Sequence, residues 1–235
     1  MNSTLTRAYI FALDLLFPIT CQGCGAEGEY LCLACQGELM APLPRCLVCG
    51  KNSPMGQVHS QCQNRDTHLH GLLVAASYHK EAVRKLIWNL KYNAVAGIAD
   101  KLAELLADHL AELDVLDYFA AAALVPVPLH KRRLRHRSYN QAALIAEALA
   151  RRLNLEYLPV LRKVKKTKSQ IDLPREERLL NVKDSFDCEP HPSLRGRKII
   201  LIDDVATTGA TLNECARELK KQNASEIWGL VVARN

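Results

Sequence analysis

No run of eighteen apolar residues occurs in this 235-residue chain, so no membrane-spanning helix is expected. Aromatic residues make up only 6% of it, which argues against an extended platform for stacking bases. A G-x4-G-K-S/T phosphate loop is absent, which excludes the usual helicase engine, and there is no low-complexity tract. No secretory leader is recognisable: the apolar stretch Ala8 to Ile19 is broken by Asp14, and no small-residue cleavage site follows. Residues 1–20 read instead as a docking helix of a cytosolic protein. A membrane-surface helix is the alternative, because Leu5, Tyr9, Leu13 and Leu16 share a face flanked by Arg7.

With 49% apolar residues, the length suffices for one full α/β domain and a small appendage. The net charge of +6 is modest but unevenly placed. Lys131 to Arg137 holds five Lys or Arg in seven residues, and Arg162 to Lys168 holds another five. Such runs favour anionic partners, although a lysine-rich linker exposed to solvent would look the same.

Cysteine is concentrated near the start of the chain. Cys21 and Cys24, Cys32 and Cys35, and Cys46 and Cys49 form three C-x2-C pairs, and His59 with Cys62 adds H-x2-C. Ligand pairs of this spacing, on turns containing Gly23, Gly25 and Gly50, suit tetrahedral zinc. The simplest grouping puts Cys21, Cys24, Cys32 and Cys35 on one ion and Cys46, Cys49, His59 and Cys62 on another; spacing alone leaves interleaved pairing open. Without a secretory signal, disulfides are disfavoured, and closed four-ligand sites are structural. The predicted division is a zinc module over residues 21–66 and an α/β domain over 67–235.

Within the latter, Leu72 to Tyr78 and Ala120 to Val127 read as strands, and Glu81 to Lys91 and Ile98 to Leu113 as amphipathic helices. Tyr78, Lys91 and Tyr92 are candidates to face a ligand. After the second strand comes LHKRRLRHRSYNQA, residues 129–142, expected as a basic loop leading into a helix through Ala150. It offers Arg132, Arg133, Arg135, Arg137, Asn140 and Gln141 as pyrophosphate or DNA ligands, with Lys163 further on. Cys188 and Cys215 have no neighbouring partner and read as buried thiols.

The chain is organised around KIILIDDVATTGAT, residues 198–211. Ile199 to Ile202 read as a buried strand of a parallel sheet that delivers Asp203 and Asp204 to its carboxyl end. Ala206, Thr207, Thr208, Gly209, Ala210 and Thr211 then precede a helix from Leu212 to Lys221, with a last strand over Glu226 to Arg234. Small residues at a helix start let a phosphate approach free backbone N–H groups and the positive end of the helix dipole. The acids can accept bonds from vicinal sugar hydroxyls, or help hold magnesium through water. The implied ligand is a sugar phosphate.

This run resembles the signature of the type I phosphoribosyltransferases. The resemblance implies that Asp203 and Asp204 meet the ribose, and Ala206 to Thr211 the 5-phosphate, of phosphoribosyl pyrophosphate (PRPP), bound with magnesium. A narrower resemblance covers nearly the whole chain. The N-terminal cysteines, Pro126 and Pro128 with Leu129, then Arg135, Arg137, Ser138, Tyr139, Asn140 and Gln141, then residues 198–211, look like the ComF family, which includes ComFC- and GntX-like proteins. Gln170, Arg178, Asn181 and Phe186 fit its spacing, and the lysine-rich stretch before them looks like the mobile loop that covers PRPP. Ser138 stands where the family has glycine, so a turn needing positive φ is less comfortable here.

The resemblance implies an α/β, type I phosphoribosyltransferase-like parallel sheet flanked by helices, with a small N-terminal zinc ribbon. It also implies work in natural transformation: handling incoming single-stranded DNA in the cytoplasm, or at the inner-membrane face beside DNA-uptake proteins. The rival reading is an active phosphoribosyltransferase joining PRPP to a nucleobase or related amine; no acceptor site is recognisable in the sequence.

Overall fold

The computed structural model describes residues 18–63, 67–165 and 181–234. Of the docking helix expected over residues 1–20, residues 1–17 lie outside the described residues, as do Gln170 and Arg178, and residues 18–20 are not helical.

In the described chain, α1 (Leu33–Gly37) lies among the cysteines, and β1 (Gly71–Ser77), α2 (Glu81–Tyr92) and α3 (Ile98–Glu112) follow. Next come β2 (Ala123–Pro126), α4 (Lys131–Arg137), α5 (Gln141–Leu153), β3 (Glu156–Tyr157), β4 (Leu161–Lys163) and β5 (Phe186–Cys188). The chain closes with β6 (Lys198–Ala206), α6 (Ala210–Lys221) and β7 (Glu226–Arg234). Five strands form one parallel sheet in the order β1-β7-β6-β2-β3, while β4 and β5 make a separate antiparallel pair.

Parallel strands covered on both faces read as continuous apolar runs, and β6 shows why. Ile199, Ile200, Leu201 and Ile202 are all fully buried. By the pleat, Ile200 and Ile202 join the cluster under α2, α3 and α5, while Ile199 and Leu201 join the one under α6 and β5. Each such side chain stabilises the fold by about 1.5–3 kcal/mol. The sheet is also closely fitted at Gly71: a Cβ there would lie 2.2 Å from the buried Trp228 ring across the strand pair.

The cysteine-rich segment is packed onto this domain. Leu31 is fully buried in the core under α2 and α3, and Asn89 on α2 donates to Gln22 Oε1 at 2.9 Å. Further on, Gln57 bridges antiparallel to Gly71, and Val58 N–H donates to His70 O at 2.7 Å. The second half of the segment therefore lies against the start of the edge strand β1.

Several expectations are corrected. Residues 131–137 form a short helix, with His130 Nδ1 accepting from Arg132 N–H, where a loop was expected. β6 runs on through Ala206, so Asp203 and Asp204 lie inside the strand. Lys163 belongs to β4, paired with Phe186. Residues 117–119, expected to border a strand beginning at Ala120, form a 3-10 turn, and β2 begins only at Ala123.

Candidate functional site

In this strand order, β6 and β2 are neighbours whose chains leave in opposite directions. From β6 the chain passes through α6 to β7 on one side; from β2 it passes through α4 and α5 to β3 on the other. A crevice opens outside the carboxyl ends of two such strands, and open α/β sheets place ligands there. Val127 N–H donates to Ile202 O at 2.9 Å, extending the β2–β6 register to the crevice floor. Residues 203–211 and the basic helix α4 therefore leave the sheet side by side.

Asp204 is buried, and its Oδ1 lies 2.9 Å from Lys91 Nζ at the end of α2. Its Oδ2 is also buried and has no hydrogen-bond partner among the described residues. A buried carboxylate oxygen left unsatisfied is costly, and a sugar hydroxyl or a hydrated cation would satisfy it. Burial alone would lower Lys91, but the charges of Asp204 and Asp203 raise it above its ordinary value. Asp203 points to the other side of the strand and accepts from Asp204 N–H at 2.9 Å. Its burial and the neighbouring Asp204 charge push it up to about 7.

Cations surround this pair. Burial and the charge of Arg133 hold Lys163 below its ordinary value, against the pull of Asp203. The charge of Arg137 acts in the same way on Lys91. The charges of Arg133 and Arg137 on α4 are thus felt at the two lysines that the acids influence, while Arg132 and Arg135 are exposed on the same helix. Asn140 and Gln141 play a different part. Asn140 caps α5 by accepting from Ala142 N–H and donates to Val127 O at 3.0 Å, and buried Gln141 accepts from Arg137 at 3.2 Å. Their polar groups tie the basic helix to the end of β2.

After the acids, Ala206 ends β6, and Thr207, Thr208 and Gly209 lead into α6. Thr208 Oγ1 accepts from Ala210 N–H at 3.3 Å, and Gly209 has φ 78°, a left-handed conformation suited to glycine. Ala210 is buried, and Thr211 sits in the first turn. The backbone amides at this helix start and the nearby cations suit an anionic group.

Gly209 serves a further purpose that sequence reasoning missed. A Cβ there would lie 2.9 Å from both methyl carbons of Leu47, between Cys46 and Cys49. The turn is therefore packed against the second cysteine cluster, and only the folded arrangement reveals it. Tyr92 stays half exposed and receives a 3.4 Å hydrogen bond from Arg137, whereas Tyr78 packs against the main core. Ser138, in place of glycine, is left-handed with φ 66°, as the turn requires.

The eight metal candidates gather into the two simplest groups, and within each all ligand atoms lie within 4.8 Å of one another. Cys32 Sγ is 3.7 Å from both Cys21 Sγ and Cys24 Sγ. Sulfurs on one tetrahedral zinc stand about 3.8 Å apart, given Zn–S bonds of about 2.3 Å. Cys49 Sγ is 3.3 Å from His59 Nδ1, which identifies the ring nitrogen facing the second centre.

Four thiols at one point also need a cation to ionise together. Burial opposes it, yet N–H groups of Cys24, Cys32 and Gly23 bring Cys21 down to about 6, while hydrogen bonds to Cys32 and Cys24 push Cys35 up to about 12. Backbone donors likewise overcome burial to bring Cys46 down to about 7, while burial and its cysteine neighbours push Cys62 up to about 11. The residues fit structural zinc at both places. Cys188 and Cys215 are buried away from these clusters, and burial raises both thiols.

A parallel sheet with a crevice at its topological switch point, joined to two zinc-binding clusters, defines a phosphoribosyltransferase-like protein with a double zinc ribbon. Residues 140–235 match the phosphoribosyl transferase domain, and residues 12–63 match the double zinc ribbon domain. Competence protein F of Haemophilus influenzae is 32% identical over 86% of this chain and 90% of that protein. The DNA utilization protein YhgH of Escherichia coli is 28% identical over 85% and 89%. Competence protein ComFC of Bacillus subtilis is 28% identical over 88% and 85%. The chain belongs to this competence protein F, or ComF, family. No described helix is long and apolar enough to cross a membrane.

Proposed function

We propose that this protein binds PRPP with magnesium in the crevice and handles incoming single-stranded DNA in the cytoplasm, during natural transformation or the use of DNA. The names of its relatives, competence and DNA utilization proteins, support the setting. One observation carries the ligand: the buried Asp204, paired with Lys91 through one oxygen and unsatisfied at the other, lies just ahead of a helix start. In this reading Asp203 and Asp204 receive the ribose hydroxyls, or hold magnesium through its waters. Ala206 to Thr211 hold the 5-phosphate. Arg132, Arg133, Arg135, Arg137 and Lys163 face pyrophosphate or the DNA backbone, whose affinity for cations is dominated by phosphate. Asn140 and Gln141 position that cationic helix. DNA-uptake proteins at the inner membrane are the proposed neighbours.

Calorimetry with PRPP and magnesium tests the ligand. Binding should be lost in Asp204→Asn and retained in Arg162→Gln, whose side chain pairs with Asp187 and Glu189. Unchanged affinity in Asp204→Asn would refute the site. Pyrophosphate release from PRPP across a panel of bases would instead establish the transferase reading.

A further inference from the structure

We propose that Trp88, Tyr92 and Arg137 form a stacking platform for the bases of single-stranded nucleic acid at the rim of the crevice, with α4 holding the phosphates. The inference rests on the nucleic-acid part of the proposed function and identifies where the bases sit.

Helix α2 buries Val83, Leu86, Ile87 and Leu90, so its opposite face should be polar. That face instead carries Trp88 at 59% exposure and Tyr92 at 49%. The two are four residues apart, and their ring centroids lie 4.4 Å from each other. Arg137 continues the row, its guanidinium carbon 5.0 Å from the Tyr92 ring centroid. Aromatic rings and guanidinium planes are the surfaces on which unpaired bases stack. An aromatic content of 6% rules out a long platform. A short one, for one or two bases, needs only these three groups.

Charge selects the occupant. Arg151, Arg152, Arg162 and Arg217 each pair with a carboxylate. Among the described residues, no carboxylate within ion-pair distance of Lys131, Arg132, Arg133, Arg135 or Arg137 is present, so α4 offers uncompensated positive charge beside the platform. A polyanion with flat, apolar faces matches both features, and single-stranded nucleic acid is such a molecule. The surface also adjoins the crevice, because Lys91, on the same turn of α2 as Tyr92, pairs with Asp204.

The chain has two tryptophans, and Trp228 is buried, so quenching of tryptophan fluorescence by a ligand reports on Trp88. The zinc-loaded full chain is titrated at low salt with a short oligothymidylate and with an abasic strand of equal length. Oligothymidylate should quench the emission, and the abasic strand should bind more weakly without quenching. By anisotropy with a labelled strand, Trp88→Ala should weaken binding by about 5- to 150-fold, and Trp88→Phe should restore most of it. The emission of Trp228 verifies that the variants fold. Equal affinity of wild type and Trp88→Ala, or of the two strands, overturns the platform while leaving DNA binding through phosphates intact. If no strand binds at low salt, the DNA-handling function falls, and the platform with it.

Discussion

Removing Lys91 should expose how much the fold depends on its pairing with Asp204. The pair is 2.9 Å apart, with side chains only 19% and 4% exposed, so solvent screens it weakly. In Lys91→Met the acid stays buried with neither oxygen satisfied by a cation, because Asp204 Oδ2 already has no partner among the described residues. Truncating one member of a buried pair costs about 3–5 kcal/mol. For a chain of this size, that corresponds to a fall in Tm of roughly 6–20 °C. Replacing both members, Lys91→Met with Asp204→Leu, should recover most of the loss, since a matched apolar pair avoids desolvation. Urea and thermal unfolding of the zinc-loaded protein measure both variants. A single-variant loss under about 1 kcal/mol, typical of an exposed pair, would refute this account. So would a double variant no more stable than the single one.

Three further outcomes are expected. A chelator should release zinc, unfold residues 21–62 and, through Leu47, speed amide hydrogen exchange at Thr207 to Thr211; exchange there unaffected by chelation would separate ribbon from crevice. Gly209→Val should destabilise the protein by at least about 1–2 kcal/mol, from its left-handed φ and the contact with Leu47, lowering Tm as well as PRPP affinity. A loss of affinity with unchanged Tm would show that the glycine makes room only for phosphate. Asp203 sits at about 7 folded against an ordinary 3.8, so the folded state holds its proton more tightly. That contribution is present below about pH 4 and lost as pH rises through about 7, so Asp203→Asn should gain stability over wild type between pH 5.5 and 8. Urea unfolding across that range, with a difference independent of pH, would contradict the burial and charge assigned to Asp203.

Much of the fold was legible because its signals are local. The apolar run before Asp203, the small residues before α6 and the C-x2-C spacing each follow from backbone geometry over a few residues. Residues 131–137 misled because clustered like charges suggest a solvated loop, whereas His130 caps a helical turn there. The two β4 and β5 segments were missed because three-residue strands carry almost no periodic signal.

Spacing along the chain is enough for the strand that presents the acids, the helix start that follows them, and eight zinc ligands in four pairs; which pairs share an ion is left to the fold. It is the packing of the folded chain that brings Lys91 to Asp204 and Leu47 onto Gly209, and that leaves Trp88 and Tyr92 exposed beside α4. Those contacts join residues far apart in sequence. They follow from the order of strands in the sheet, which no local pattern encodes.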